Sequence, residues 1–180
     1  MTFANQLTLV RLVAVVPVMA ALYIQFPGHR AIATSLYVAA ILTDYLDGIL
    51  ARRSKEVTAF GKLMDSVADK ALIASLFFAL VAEGSLASWM AVIMVVREFA
   101  VTGLRMVALE AGEVISANSW GKAKMVSQSL GVLVLLLGYV EVGYWVMLCA
   151  TVLTLLSGWS YLKDTPRILA ASSNAQDRRS

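Results

Sequence analysis

The sequence predicts an all-α, polytopic membrane protein with six transmembrane helices and both termini in the cytoplasm. Three observations carry this. The 180 residues are 59% hydrophobic and only 15% charged, with mean hydropathy +0.76, against about 45–50% and about 25% in soluble domains. A chain of this size hides only about 70% of its surface in one core, so the composition excludes a soluble monomer, a disordered chain and a nucleic-acid-binding domain. Charge-free runs cover 12–28, 31–43, 71–82, 84–96, 125–140 and 142–162, and neighbouring residues extend each toward the roughly 20 that cross a bilayer. Finally, of the 15 Lys and Arg residues only Arg30 falls opposite the termini in a six-span arrangement. The positive-inside rule then sets the orientation.

In chain order, Met1–Gln6 are expected to form a short interfacial helix. Helix one is expected over 7–26. It lacks the basic n-region and A-x-A site of a cleavable signal and is followed by further spans. Helix two is expected over 31–51, helix three over 62–83, helix four over 85–110, helix five over 119–140 and helix six over 142–163. The loops opposite the termini are short, around Pro27–Arg30, Glu83–Ser85 and Glu141–Gly143. One domain is expected over 1–171, without repeats, followed by a polar, disordered tail over 172–180. The one cysteine, Cys149, excludes a disulfide framework and a cysteine metal cluster and reads as inert packing.

The anomaly is carboxylates at the cytoplasmic ends of helices two and three. Asp44 and Asp47 are spaced i, i+3 and Asp65 and Asp69 i, i+4, so each pair shares one helical face. A short polar link containing Gly61 predicts an antiparallel hairpin whose pairs face each other. Four carboxylates at membrane depth are costly unless neutralised. Helix-end salt bridges or a proton relay would account for a lone D-x-x-D, whereas two pairs on adjoining helices favour divalent cations. Mg²⁺ takes oxygen ligands and keeps positions open for substrate phosphates. Two such ions suit displacement at phosphorus. Asp44 lies about 20 Å along helix two, at headgroup level, where a site could hold the pyrophosphate of a lipid whose tails stay in the bilayer. The small Gly48 and Ala51 would let a bulky group approach the backbone.

Asp44-x2-Asp47-Gly48-x2-Ala51-Arg52-x8-Gly61-x3-Asp65-x3-Asp69 resembles the signature of the CDP-alcohol phosphotransferase family, with every fixed position filled. The resemblance implies six membrane helices and two metal ions, Mg²⁺ with Mn²⁺ as the alternative, on Asp44, Asp47, Asp65 and Asp69. It implies Asp69 as general base, and Gly48, Arg52 and Thr58 as contacts to the CDP part of a CDP-diacylglycerol donor. Read unaided, Thr58 is an ordinary loop hydroxyl. Asn5-Gln-Leu-Thr8-Leu-Val-Arg11 resembles the family's Asn-x2-Thr-x2-Arg segment, which adds Asn5 and Thr8 to the donor contacts. Their unaided reading is a helix cap at Asn5 and a membrane anchor at Arg11.

Helix four carries Arg97-Glu98-Phe and Gly103-Leu-Arg105, and helix five opens on Trp120-Gly-Lys122-Ala-Lys124. Topology alone explains Lys124, read here as a boundary anchor first and a ligand second. It explains Arg97 poorly, because that residue lies a turn or more inside the boundary. Arg97, Arg105 and Lys122 therefore read as a clamp for a second phosphate, on the acceptor. These segments resemble the branch of the family that makes phosphatidylglycerophosphate, which implies glycerol 3-phosphate as acceptor and CMP as second product. The setting implied is a bacterial cytoplasmic membrane, with membrane lipids and a homodimeric partner copy as further associations and no nucleic acid. The competing readings are a sibling transferase for inositol phosphate, serine or phosphatidylglycerol, a proton or cation transporter, and a non-catalytic scaffold. A transporter would not require Gly48 and Arg52 at fixed spacing and would spread its charges across the membrane. The intact carboxylate set disfavours a scaffold. Helices five and six read as generic apolar spans.

Overall fold

The computed structural model describes residues 13, 15–24, 26–53, 59–110 and 119–177, without the side chains of 44–53, 59–69, 109–110, 119, 160 and 162–177. All regular structure among them is helical. Helix α1 is described over 15–23. It is followed by α2 (His29–Arg53), α3 (Ala59–Ala82), α4 (Ser88–Glu110), α5 (Ser119–Leu136) and α6 (Val140–Asp177). The expected six helices are met in order. The expected interfacial helix at Met1–Gln6 and the start of helix one lie outside the described residues.

Three glycines at positive φ make the turns: Gly28 at 85°, Gly84 at 74° and Gly138 at 89°. Phe26-Pro27-Gly28-His29 closes with the His29 N–H donating to the Phe26 carbonyl at 3.0 Å. Proline second and glycine third is the chemistry of a type II turn. After α3, Gly84 N–H donates to the Val81 carbonyl and Ser85 N–H to that of Leu80. After α5, Gly138 N–H donates to Leu135 and Tyr139 N–H to Val134. Both are Schellman ends, which satisfy the last carbonyls through a left-handed residue that glycine adopts without strain. The third turn therefore falls at 137–139 and not at Glu141–Gly143. Gly138 stops α5, and Glu141 lies in the first turn of α6, where a carboxylate favours the helix dipole. At its other end α6 runs to Asp177, so the polar segment from Ser172 continues a helix where a disordered tail was expected.

Backbone packing forms two units, Met1–Leu86 with Val132–Gly143 and Ala87–Gly131 with Tyr144–Ser180. In the first, Tyr37 of α2 and Leu76, Phe77 and Leu80 of α3 are almost fully buried. Arg30, one residue into α2, donates to Glu83, just past the end of α3, at 3.2 Å. The start of α2 thus lies beside the end of α3, and the two helices run antiparallel. Gly138 completes this end: a Cβ on it would meet Arg30 Nη1 at 3.5 Å. The one basic residue expected opposite the termini is therefore neutralised where it stands.

In the second unit the inward stripe of α6 is Met147, Ala150, Thr154, Ser157 and Tyr161, all nearly or fully buried. The alternating three- and four-residue spacing keeps them on one side of the helix. The Thr151 and Thr154 hydroxyls donate to the carbonyls of Met147 and Ala150 four residues back, so a polar stripe is buried without orphaned hydroxyls. A side chain on Gly131 would collide with Met147, so glycine there sets the close approach of α5 and α6.

The outer faces are apolar. Trp89, Trp120, Trp145 and Trp159 are all exposed, as are Val92, Val96 and Phe99 on α4 and Val152, Leu155 and Leu156 on α6. Cys149 belongs to that outer side of α6, with Trp145 and Val152 at helical spacing, and is exposed where packing was expected. Among the described residues one segment is by itself long and apolar enough to cross a bilayer, Val140–Trp159, with 20 residues and mean hydropathy 1.7. Lys70–Ala82 is apolar but shorter.

Replacing Gly84 or Gly138 by Ala is expected to destabilise the purified protein by about 1 kcal/mol, because a Cβ in the left-handed region meets the carbonyl that follows. Gly103→Ala, on a helical glycine with nothing within 4 Å of the added carbon, should be neutral or stabilising. Thermal midpoints compare the three, and an equal loss in all would contradict this account of the turns.

Candidate active site

The carboxylate positions follow from the antiparallel pair. Asp44 stands fourteen residues after Arg30, and Asp69 fourteen before Glu83. At 1.5 Å per residue both are about 21 Å from the ion pair that ties the opposite ends. Asp47 and Asp65 lie about one turn further on. The register of α2 and α3 thus brings the two pairs to one level, toward the Arg53 and Ala59 ends. Gly48 and Arg52 occupy the last two turns of α2. By residue type the four aspartates offer oxygen alone, which would suit a hard divalent cation such as Mg²⁺ and not a thiolate- or imidazole-seeking metal. Asn5, Thr8 and Thr58 lie outside the described residues.

The second cluster belongs to α4, α5 and α6. Arg97 stands nine residues into the 23-residue α4, near its middle. Its Nη1 donates to Glu98 Oε2 at 3.3 Å and its Nη2 to Ser157 Oγ at 2.9 Å. Lys124 Nζ donates to the same Glu98 oxygen. Arg105 Nη2 donates to the Tyr161 hydroxyl at 2.6 Å. The Tyr161 ring lies near both guanidinium groups, 5.6 Å from Arg97 Cζ and 5.3 Å from Arg105 Cζ, within the range of cation–π attraction.

Among the described residues of this cluster, Arg97, Arg105 and Lys124 bring three positive charges and Glu98 one negative. The side chains of Arg97 and Lys124 are only 12% and 7% exposed, so water neutralises little of the excess. Arg97 Nε and Arg105 Nε are buried N–H donors with no hydrogen-bond partner. A buried charged donor without an acceptor costs more than a neutral one. An oxyanion would relieve both defects, because guanidinium groups match phosphate and carboxylate in charge and shape.

The two lysines exchange the ranks expected for them. Lys124 is buried and paired with Glu98, whereas Lys122 is exposed. Residues two apart on a helix do not share a face, so only one of them can point inward. The signal was present in the sequence: Lys124, Gln128, Val132 and Leu135 recur at helical spacing and are all buried. Sequence reasoning also passed over Ser157 and Tyr161, which stand in a run of apolar residues that reads as a plain span.

The profile of the CDP-alcohol phosphatidyltransferase family matches residues 1–156. A Bacillus subtilis (strain 168) protein named CDP-diacylglycerol–glycerol-3-phosphate 3-phosphatidyltransferase is 37% identical over 148 residues, covering 77% of this chain and 75% of the relative. A Rickettsia bellii (strain RML369-C) protein of the same name is 31% identical over 167 residues, covering 88% and 92%. A Mycobacterium tuberculosis (strain H37Rv) protein named "Probable phosphatidylglycerophosphate synthase" is 38% identical over 166 residues, covering 88% and 79%. With the family profile spanning most of its length and its signature complete from Asp44 to Asp69, this chain belongs to the CDP-alcohol phosphatidyltransferase family.

Proposed function

We propose that the protein transfers a phosphatidyl group from CDP-diacylglycerol to glycerol 3-phosphate, giving phosphatidylglycerophosphate and CMP. The relatives carry that activity in their names. The observation in this chain that carries the acceptor is the α4–α6 cluster, a cationic site with buried donors lacking an acceptor. Serine, or a lipid acceptor that offers only a hydroxyl, would not call for it.

The reaction needs two kinds of recognition, and the chain offers a residue set for each. Asp44, Asp47, Asp65 and Asp69 would hold two divalent cations. When bound, these neutralise the donor pyrophosphate and the charge gathering on the departing CMP. Gly48, Arg52, Asn5, Thr8 and Thr58 are assigned to the CDP part, and Arg52 suits its phosphates in charge and geometry. Arg97, Arg105 and Lys124 hold the acceptor phosphate. Lys122, exposed on the other side of α5, contributes at longer range. Asp69 takes the proton of the acceptor hydroxyl as its oxygen attacks the lipid-side phosphorus. The new P–O bond forms, the bond to CMP breaks, and CMP leaves with the electron pair. As in other phosphoryl transfers, the contribution of the residues is positioning and electrostatics.

The setting we infer is a bacterial cytoplasmic membrane, crossed six times with both termini inside. The apolar outer faces support this, as does the clustering of Tyr23, Phe26, Trp89, Tyr139, Tyr144 and Trp145 within about two helical turns of the glycine turns in sequence. All six are exposed, and aromatic side chains favour the membrane–water boundary.

Two predictions follow from these assignments. Asp→Asn at 44, 47 or 65 should each nearly abolish CMP release while the protein still inserts, and EDTA should do the same to the parent protein until Mg²⁺ is restored. Asp69→Asn should lower kcat by about 10²–10⁴-fold. Full activity after rigorous removal of divalent ions would refute the metal assignment. At the acceptor site, Arg97→Ala, Arg105→Ala and Lys124→Ala should each raise the KM for glycerol 3-phosphate by about 10- to 150-fold, with little change for CDP-diacylglycerol, because a charge-assisted hydrogen bond is worth about 1.5–3 kcal/mol. Lys122→Ala should have a smaller effect, and free glycerol should be a very poor acceptor. Glycerol reacting as well as glycerol 3-phosphate would remove the clamp.

A further inference from the structure

Helix α6 carries more than a membrane span needs. On the inward stripe, Ser157 and Tyr161 lie one turn apart and are 0% and 4% exposed. Each receives a hydrogen bond from a different arginine of α4. The Ser157 hydroxyl donates its own hydrogen to the Thr154 carbonyl at 3.1 Å, so toward Arg97 Nη2 it can only accept. Between them Gly158 leaves room for the arginine stem: a Cβ there would lie 3.3 Å from Arg97 Cγ. Tyr161 does two jobs at once. Its hydroxyl accepts from Arg105 Nη2, and its ring lies close to both guanidinium groups.

Two positive groups in an apolar bundle repel each other, and long arginine side chains have many rotamers to lose. Left alone they would spread toward water. An aromatic ring close to both offers each the negative part of its quadrupole, and the phenol oxygen fixes one of them by a short, charge-assisted bond. Ser157 fixes the other. Both Nη atoms of Arg97 and Nη2 of Arg105 are thereby engaged by Glu98, Ser157 and Tyr161, while the Nε donors of both arginines have no hydrogen-bond partner.

We propose that Tyr161, with Ser157, is the positioning residue of the acceptor site: it sets the spacing and orientation of Arg97 and Arg105 so that their remaining donors meet one phosphate. This rests on the acceptor reading given above. Tyr161 does not act on the reacting atoms; its effect passes through the arginines.

The test is a double-mutant cycle on the full-length protein, reading kcat and the KM of each substrate separately. Tyr161→Phe keeps the ring and removes the hydroxyl. It should raise the KM for glycerol 3-phosphate about tenfold, equivalent to 1.4 kcal/mol, and leave kcat and the KM for CDP-diacylglycerol nearly unchanged. Tyr161→Leu, which also removes the ring, should raise it further. In an Arg105→Ala background Tyr161→Phe should add little, because the group it acts through is gone. Ser157→Ala should show the same dependence on Arg97. If Tyr161→Phe raises both KM values alike, or acts as strongly without Arg105 as with it, the residue is only structural and the proposal is overturned. If Arg105→Ala affects acceptor KM but Tyr161→Phe and Ser157→Ala do not, the proposal fails and the acceptor site stands. If Arg105→Ala and Arg97→Ala themselves leave acceptor KM untouched, the acceptor reading fails first.

Discussion

The constraint on which the structure depends is that charge placed among apolar helices must have a partner. Each unit answers it at a named place. In the first, Arg30 and Glu83 meet at the end of the α2–α3 pair, and their contact marks the antiparallel register of the two helices. That register brings Asp44 and Asp69 to equal distances from the ion pair. A one-residue slip would shift one carboxylate pair against the other by about 1.5 Å and rotate it by about 100°, since 3.6 residues make a turn. In the second unit, Glu98 is shared by Arg97 and Lys124. Among the described residues three cations gather round that one carboxylate, and the proposed acceptor site rests on this.

The family signature on which the proposed donor site rests was legible in the sequence. A signature that demands Asp, Gly and Arg at fixed spacings leaves little freedom, because metal coordination constrains residue identity and helical register at the same time. The six helices were also legible, since hydropathy is a strong, repeated signal. Helix ends were less so. Gly138 announces the end of α5, but apolar residues continue on both sides of it, and hydropathy alone carries the helix past the turn. The polar segment from Ser172 to Asp177 has no hydrophobic pattern that would predict a helix, yet it continues α6, consistent with the lower cost of extending a helix than of starting one.

The cluster shared by α4, α5 and α6 was half legible. Arg97 and Arg105 stood out because arginine inside an apolar helix requires a reason. Lys122 and Lys124 are chemically alike and two residues apart, so residue type could not rank them; the phase of the helix does. Ser157 and Tyr161 were hidden for a different reason. Serine and tyrosine are tolerated in apolar helices, where a hydroxyl can satisfy itself on a backbone carbonyl, as Thr151 and Thr154 do. Nothing in the sequence distinguishes a self-satisfied hydroxyl from one that also accepts from an arginine on another helix.

Helix α6 shows how one element meets two requirements at once. Its outer side, with Trp145, Val152, Leu155, Leu156 and Trp159, is exposed and apolar. Its inner stripe changes character along its length, from Met147 and Ala150 to Thr154, Ser157 and Tyr161. The apolar end packs against Gly131 of α5, and the polar end meets the arginines of α4. Averaged over a window the helix looks like a plain span, because hydropathy sums over the circumference and cannot see which side a hydroxyl takes. Sorted by face, Thr154, Ser157 and Tyr161 lie on the inward stripe. Polar side chains can therefore be buried along a largely apolar helix, as long as each one on that stripe finds its partner within the unit.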